Sequence, residues 1–340
     1  MSTRSAPERP NIRQVAMTAG VSHMTVSRVL NGHANIKAST RDKVLAAVDE
    51  LGYRPNIAAR ALATQKTLRI GAIVETETEF GPASSLRAIH RAARQRGYSV
   101  SSIALDEDDS IDAGQAFEQL VSLGIDALCL VTPRSASVAA VRSISPEMPV
   151  LVTKPDREDE LLRVCVDQQL GVTMAVDHLA ALGHRDALHV SGPMDWLDAR
   201  ARERAFRART RSWGMRERPI VAGDWSADFG YDFAVGLQRR PDYTAIVAAN
   251  DQVALGIVHG LHDRGISVPD ELSIIGFDDA PFSRHSIPPL TTVRQPFETL
   301  GRAVVDVLLA AVERRPIPQR TKIPPELIVR LSTAKARETP

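Results

Sequence analysis

The sequence predicts a small all-α amino-terminal head that contains a helix-turn-helix and a hinge helix, joined to a two-lobed α/β body with doubly wound parallel sheets. Three short helical patterns separated by glycines fill residues 11–54. After residue 67, apolar strand-like runs alternate with amphipathic helical runs. The body would hold about 270 residues, and that length favours two lobes over one large sheet.

The first predicted helix spans residues 12–19. Its apolar residues follow the i, i+3, i+4, i+7 spacing of one helix face, namely Ile12, Val15, Ala16 and Ala19. Gly20 can end this helix because glycine enters the left-handed region without a Cβ penalty. Val21 can then fill the angle between this helix and the next.

The second predicted helix covers residues 23–30, with Ser22 as its cap. Val26, Val29 and Leu30 point inward in this pattern, which leaves an outward face that consists of His23, Met24, Thr25, Ser27 and Arg28. A third helix opens near Ser39 or Thr40, stops at Gly52, and is predicted to bury Val44, Leu45, Val48 and Leu51. Three helices in this order are typical of a DNA-reading module.

The charge distribution supports a polyanionic partner for the head alone. The whole chain has a formal net charge of +1. Residues 1–66 hold ten Lys or Arg against four acidic residues, a net charge of +6, and the remainder carries −5. Small helical domains are often basic by chance, so the asymmetry is supporting evidence only.

Three runs resemble the lactose and galactose repressor family: AGVSHMTVSRVLN at residues 19–31, STRDKVLAAVDELGYRPN at 39–56 and ARALA at 59–63. The resemblance covers essentially the whole chain. It implies a homodimeric transcription regulator that binds palindrome-like operator DNA and whose operator affinity a small-molecule effector changes. It also implies a body like that of the periplasmic binding proteins, in which a late strand crosses between the lobes.

The DNA-binding residues are expected on the exposed face of the second helix. The Arg28 guanidinium can donate two hydrogen bonds to guanine in the major groove. His23 and Met24 occupy the family's specificity positions. Phosphate contacts are expected from Ser22, Thr25, Ser27 and Asn31, with helix capping as the alternative for Ser22 and Asn31.

Within the family's hinge helix, Leu62 would wedge into a base step of the minor groove, and Asn56 belongs to the same DNA-binding segment. The alternative is that Leu62 packs on the body as an ordinary helix residue.

The predicted organisation runs from a disordered arm to a short tail. Residues 1–10 form the arm, 11–54 the helix-turn-helix domain, 55–66 the hinge helix and linker, 67–334 the effector-binding and dimerisation domain, and 335–340 the tail. The first lobe would comprise about 67–166 and a crossback near 293–320, and the second about 167–292 and 321–334.

Strands are predicted at residues 68–74, 99–104, 127–131, 150–153, 187–191, 245–248 and 273–277. Helices between them include residues 84–96, 169–182 and 251–264.

Ligands in such sheets collect at the carboxyl ends of the strands, where polar side chains follow several predicted strands. Taken singly, each of these residues has a structural alternative as a helix cap, a turn residue, a core residue or a solvated charge. Together they match the family's effector-site motifs: Asp167 in VDQQLG, Arg202 in ARARERAF, Trp225 in GDWSADFG, Asn250 in ANDQVALG, Asp278 in GFDD and Phe297 in TTVRQPF.

Amides, carboxylates and a guanidinium can pair with neighbouring hydroxyls, and an aromatic ring can lie against a pyranose face. We therefore expect a sugar-like effector, with a glucoside or galactoside, including a disaccharide, as the first expectation. The segment from Glu79 to Ser85, together with Trp196 and Asp198, differs from the lactose-binding pattern and leaves the exact sugar open.

Catalysis, cofactor and metal sites are not predicted. The sequence has no Walker loop, dinucleotide fingerprint, paired-histidine helix motif or nucleophile elbow. Cys129 and Cys165 lack metal-ligand spacing and fit a reducing compartment.

Without a visible targeting segment or an apolar run of about 18 residues, we expect a cytoplasmic, nucleoid-associated protein that has no membrane partner. Two alternatives remain: an exported sugar-binding protein, which would not need residues 11–63, and a sugar-phosphate enzyme, which would need a phosphate loop and a base.

Overall fold

The computed structural model describes residues 10–30, 35–53, 66–105, 111–131, 134–144, 147–153, 161–237, 241–318 and 322–337. The chain divides into two compact units, residues 1–67 and 68–340, which we call the head and the body.

The described part of the head contains three helices: α1 (Ile12–Ala19), α2 (His23–Leu30) and α3 (Ala38–Leu51). Asn11 caps α1, since its side chain accepts hydrogen bonds from the backbone N–H groups of Arg13 and Gln14. Gly20 and Gly52 follow α1 and α3 with φ values of 66° and 58°, a conformation that favours glycine. The three predicted helices are therefore present, and α3 begins one residue before Ser39.

The core of the head is small and apolar. It is formed by Val15, Ala16, Ala19, Val26, Val29, Val44 and Ala47. The prediction that Leu45 belongs to this core is wrong, because its side chain is 44% exposed. Successive residues of an α-helix differ by about 100° in direction, so the face that buries Val44 buries Ala47 and Val48 and leaves Leu45 outside.

The first lobe of the body is built on a parallel five-stranded sheet with the order β2-β1-β3-β4-β5. Its strands are β1 (Arg69–Val74), β2 (Ser99–Ala104), β3 (Ala127–Val131), β4 (Val150–Val152) and β5 (Leu162–Arg163). The helices between them are α4 (Phe80–Gln95), α5 (Ala113–Ser122) and α6 (Ser135–Ser143). The first of these, α4, begins four residues before the predicted Ser84, because Pro82 fits the first turn of a helix.

The second lobe is built on a six-stranded sheet. A two-stranded sheet made of β6 (Cys165–Val166) and β12 (Lys322–Ile323) lies outside both larger sheets. The strands of the six-stranded sheet, in chain order, are β7 (Ala187–Ser191), β8 (Val221–Ala222), β9 (Ala245–Ala248), β10 (Ser273–Asp278), β11 (Thr291–Arg294) and β13 (Glu326–Ile328). All pairs are parallel except β11 with β13.

Four helices follow strands β6, β7, β8 and β9: α7 (Gln168–Ala181), α8 (Leu197–Ser212), α9 (Ala227–Val235) and α10 (Asp251–Asp263). Helices α9 and α10 approach closely at Gly256, where a Cβ would fall 1.9 Å from the Ala227 carbonyl oxygen. Only glycine allows this spacing of the two backbones.

The chain returns to the first lobe through a helix, α11 (Phe297–Val312). Leu300, Val304 and Leu308 of α11 join the core of the first sheet together with Ile70 and Ile89. The backbones of α11 and α4 nearly touch, since a Cβ at Gly301 would lie 2.5 Å from the Ala88 carbonyl carbon. After α11 the chain passes through the late strand β12, which pairs with β6 outside both larger sheets, to β13 of the second sheet. No helix among the described residues is long and apolar enough to cross a membrane.

Candidate functional site

A cavity lies between the two lobes of the body, next to the carboxyl ends of several strands. The second lobe contributes Gln168, Trp196, Asp198, Arg202, Trp225, Asn250, Asp278 and Gln295. Segments that pack on the first lobe, or connect to it, contribute Glu79, Gly81, Pro82, Ser85, Thr153, Cys165, Val166, Phe297 and Leu300. Parallel sheets direct polar groups to this edge, which explains why residues distant in sequence meet here.

The most connected side chain of the cavity is Arg202, which α8 presents in a fully buried position. Its Nε donates to Gln168 Oε1 at 2.9 Å, and its Nη1 donates to the Ala249 carbonyl at 2.5 Å. Its Nη2 lies 4.0 Å from Asp278 Oδ1. The guanidinium also lies 3.8 Å from the centre of the Phe277 ring. The alternative of a solvated Arg202 is therefore wrong.

Asp278 ends strand β10 and is buried. Its Oδ1 accepts a hydrogen bond from Gln295 Nε2 at 2.6 Å. Burial raises the pKa of Asp278 to about 6, although the Arg202 guanidinium opposes that shift. A φ of 108° places Asp278 in a backbone region that non-glycine residues rarely adopt, and such strain is concentrated at functional sites.

The neighbouring carboxyl, Asp251, holds the loops behind the cavity. It accepts hydrogen bonds from Ser283 Oγ at 2.6 Å, Thr292 Oγ1 at 2.5 Å and the Ala280 N–H at 2.7 Å. Burial, with a contribution from Asp278, raises the pKa of Asp251 to about 7. This arrangement gives Asp251 a supporting role at the base of α10.

Asn250 both caps α10 and lines the cavity. Its side-chain oxygen accepts a hydrogen bond from the Val253 N–H at 2.8 Å, and its Nδ2 donates to the Trp225 carbonyl at 2.9 Å. Asn250 is therefore a helix cap, which was the structural alternative, and it also lines the cavity as predicted. The second bond holds Trp225, whose φ of 75° is also strained.

Two tryptophans form an aromatic corner in the cavity. The Trp196 and Trp225 rings meet edge to face, with centroids 5.6 Å apart. Trp225 packs against Gly192, where a Cβ would lie 2.4 Å from its ring. On another side, the Arg134 guanidinium lies 5.4 Å from the Trp196 ring centre and joins the two lobes beside the cavity.

Phe297 lies at the start of α11 and faces the same cavity. Its ring contacts Phe80 edge to face, with centroids 5.8 Å apart. Phe297 and Phe80 belong to segments that pack on the first lobe, whereas Trp196 and Trp225 belong to the second lobe. Aromatic side chains therefore lie on both sides of the cavity.

The structure brings together Arg202, Trp225, Asn250, Asp278 and Phe297, but it does not add Asp167 to the cavity lining. The Asp167 side chain caps α7 by accepting a hydrogen bond from the Leu170 N–H at 3.2 Å, and it lies 3.5 Å from Lys322 Nζ. Its neighbour Gln168 reaches the cavity instead. Sequence reasoning did not name Gln168 and Gln295 as site residues, although they lie within the motifs VDQQLG and TTVRQPF.

Gln168 and Gln295 form a buried amide relay at the base of the cavity. Gln168 Nε2 donates to Gln295 Oε1 at 3.0 Å, while Gln168 Oε1 accepts from Arg202. Gln295 in turn donates to Asp278. The relay is a chain of hydrogen bonds from Arg202 to Asp278, and the 4.0 Å ion pair between these two residues closes it into a ring that orients the polar groups in it.

In the head, the outward face of α2 is present as predicted. Ser22, His23, Met24 and Arg28 are exposed, and Thr25 and Ser27 are half-buried. Ser22 Oγ accepts a hydrogen bond from the Thr25 N–H at 3.1 Å, so the capping alternative applies to Ser22. Asn31, Asn56 and Leu62 lie outside the described residues.

Models of known protein families match residues in both the head and the body. Residues 11–56 match the model for bacterial regulatory proteins of the lacI family, and residues 176–333 match a periplasmic binding protein-like domain. The lactose operon repressor of Escherichia coli (strain K12) is 32% identical over 94% of this chain and 89% of its own length. The HTH-type transcriptional regulator GalR of the same strain is 32% identical over 94% of each chain.

Solved structures agree with this assignment. A lac repressor dimer bound to operator and the anti-inducer ONPF is 30% identical, with a TM-score of 0.85 over 96% of this chain and all of the other. The transcriptional regulator CelR in complex with cellobiose is 27% identical, with a TM-score of 0.70 over 95% of this chain and 100% of that one. The fold, the head motif and the identity across nearly the whole length agree, and the chain therefore belongs to the lacI family of bacterial regulatory proteins.

Proposed function

We propose that this protein is a sequence-specific transcriptional repressor whose affinity for operator DNA is changed by a small carbohydrate effector. The observation that carries this proposal is the cavity, in which a buried ring of Arg202, Gln168, Gln295 and Asp278 lies beside a tryptophan corner. Oriented polar groups beside aromatic faces are the chemistry that recognises a polyol. The same chain carries a DNA-reading head.

DNA recognition is assigned to the outward face of α2. Arg28 reads guanine, His23 and Met24 set the preferred bases, and Ser22, Thr25 and Ser27 contact phosphate. Asn31 adds a phosphate contact, and the hinge segment at 55–66, with Asn56 and the wedge Leu62, enters the minor groove. Two such heads address a palindrome-like site, which requires a homodimer.

Effector binding is assigned to Arg202, Asn250 and Asp278 as hydrogen-bonding groups and to Trp225 and Phe297 as walls. Asp167 acts through α7, whose first residue Gln168 it positions. A complex with cellobiose and one with ONPG are among the structures similar to this chain, which supports a glucoside or galactoside, including a disaccharide.

The proposed mechanism couples two equilibria. Effector binding closes the lobes or shifts the angle between them, and the hinge at 55–66 then loses or gains helix. Operator affinity changes by the difference in effector-binding free energy between the two conformations of the protein. Such couplings are typically about 1–3 kcal/mol, or roughly 5- to 150-fold in affinity. A regulator of this kind acts in the cytoplasm, on nucleoid DNA, without a membrane partner or a cofactor.

The experiment is selection of duplex DNA by the full-length protein from a random library, followed by titration of the enriched site. Arg28→Ala is expected to lose the preference for the selected site over a scrambled duplex and to keep salt-sensitive non-specific binding. Arg28→Lys is the matched control, because it keeps the charge and loses the two-pronged contact to guanine. If both variants select the wild-type site, Arg28 does not read bases.

A sugar that stabilises the body in a thermal-shift screen should then change the affinity of wild-type protein for the selected duplex. An exported sugar-binding protein would bind the sugar and select no DNA sequence. A sugar-phosphate enzyme would convert its ligand in a turnover assay.

A further inference from the structure

We propose that Glu79 is the first-lobe recognition group of the cavity: it accepts a hydrogen bond from a hydroxyl or ammonium group of the effector, and the cavity rejects phosphorylated and acidic sugars. This inference rests on the effector-binding role proposed above.

Glu79 lies directly before α4 and lines the cavity. Its Oε2 is buried and has no hydrogen-bond partner among the described residues. Trp196, which is 5% exposed, lines the same cavity from the second lobe, and its Nε1–H is also without a partner there. A buried acceptor and a buried donor without partners in the protein cost free energy, and one hydroxyl-bearing ligand can satisfy both.

The charges that line the cavity oppose an anion. Glu79, Asp198 and Asp278 contribute carboxyl groups, and Arg202 is the guanidinium among the described lining residues. Two nitrogens of Arg202 already donate to Gln168 and Ala249, and the third faces Asp278. A phosphate would therefore meet carboxyl groups without an uncommitted cation in the described lining.

Burial and the charged groups that face Glu79 make its ionised form unfavourable, and a bound donor would reduce this cost. Burial raises the pKa of Glu79 to about 7, and Asp278 at the end of β10 and Asp224 after β8 add to the shift. On α8, Asp198 and Arg202 line the same cavity. At the start of α11, Glu298 pairs with Arg91 at 2.5 Å. A hydrogen-bond donor placed against Glu79 would favour its ionised form and hold the two lobes together across the cavity.

The raised pKa of Glu79 sets the direction in which pH changes the stability of the fold. The folded-state pKa of about 7 lies above the usual value of 4.5, so Glu79 destabilises the ligand-free fold. This cost is absent below pH 4.5, grows as the pH rises, and is complete above pH 7.

The first test needs neither DNA nor sugar. Melting of full-length protein is followed by intrinsic tryptophan fluorescence, which reports on the body because all three tryptophans, Trp196, Trp213 and Trp225, lie there. Glu79→Gln is expected to raise the melting temperature by several degrees at pH 8 and by less than half as much at pH 5. The matched control is Glu77→Gln, an exposed carboxyl two residues away, and it should shift neither value.

An equal melting temperature for Glu79→Gln and wild type at pH 8, or the same gain from Glu77→Gln, would overturn the proposal. The second test measures binding of cellobiose, glucosamine and glucose 6-phosphate to wild-type protein at matched ionic strength. Stabilisation by cellobiose identifies a hydroxyl donor, and stabilisation by glucosamine alone identifies an ammonium donor. The affinity for whichever of these two sugars binds should fall at least about tenfold in Glu79→Leu, because the variant loses one hydrogen bond to a charged group.

Preferential binding of glucose 6-phosphate, or unchanged sugar affinity in Glu79→Leu, contradicts the proposal. If none of the three probes binds, an equal melting temperature for Glu79→Gln and wild type at pH 8 still overturns the proposal. Failure of the proposed function is recognised separately, because it would appear as wild-type protein that selects no DNA sequence.

Discussion

Replacing Arg202 with methionine tests whether the buried polar ring holds the body together. Methionine is close to arginine in length and apolar, so it fills the space while removing the charge and the donors. The change leaves Gln168 Oε1 and the Ala249 carbonyl without the Arg202 donor, and it removes the cation that lies 4.0 Å from Asp278 Oδ1. The last of these matters most, because Asp278 becomes a buried carboxylate without its cation.

Removing one partner of a buried ion pair typically costs about 3–5 kcal/mol, since the remaining charge is uncompensated. A loss of 1 kcal/mol lowers the melting temperature of a domain of this size by about 2–4 °C, so Arg202→Met is expected to melt about 6–20 °C below wild type. The loss should be larger at pH 8 than at pH 5. Arg202 lowers the pKa of Asp278, so its removal raises that pKa above about 6, and protonation at low pH removes the unpaired charge.

The assay is thermal melting of the body by tryptophan fluorescence at both pH values. Arg207→Met is the matched control on the same helix, because Arg207 is exposed and pairs with Glu203 one turn away, a contact worth about 0.5 kcal/mol. Adding Asp278→Asn to Arg202→Met should recover part of the loss. Equal losses for Arg202→Met and Arg207→Met, or a loss that is independent of pH, would refute the reasoning.

Two further predictions concern packing. Gly256→Ala should destabilise the body by about 3 kcal/mol or more, because its Cβ would lie 1.9 Å from the Ala227 carbonyl oxygen and the two helices would have to separate. Urea unfolding measures this, and an unchanged midpoint would contradict the close approach of α9 and α10. Leu45→Lys should change the stability of the head by no more than about 0.5 kcal/mol, because that side chain is 44% exposed. Circular dichroism of the head's unfolding checks this, and a loss above about 2 kcal/mol would show that Leu45 is buried.

Regular elements with strong periodicity could be predicted from the sequence. Helices α1 and α2 and strands β2, β3, β7 and β9 begin and end at the predicted residues. The two-residue strands β5, β6, β8 and β12 could not be predicted, because their pairing depends on neighbours far away in the chain and leaves no alternation to detect. The prediction that Leu45 is buried is wrong because it rests on the hydrophobicity of the side chain and not on its direction around the axis of α3.

Asn250 and Asp278 could be located from their places at the ends of predicted strands, because a parallel sheet gathers such residues at one edge, whereas Arg202, Trp225 and Phe297 were selected by the family resemblance. Asp167 shows the limit of that argument. A short acidic residue just before a helix serves equally well as a cap or as a ligand contact, and the side-chain direction that decides between them is set by tertiary packing. The roles of Gln168 and Gln295 depend on contacts between segments 127 residues apart, which no local pattern contains.

The central claim is that one chain combines an operator-reading head with a carbohydrate-sensing body. The most direct measurement is a titration of full-length protein against its selected palindrome and a scrambled duplex at fixed salt, with and without a sugar that binds the body. The account predicts a clear preference for the palindrome and a change of about 5- to 150-fold in that affinity when the sugar is present. Equal affinity for both duplexes, or a selected-site affinity that every bound sugar leaves unchanged, would contradict it.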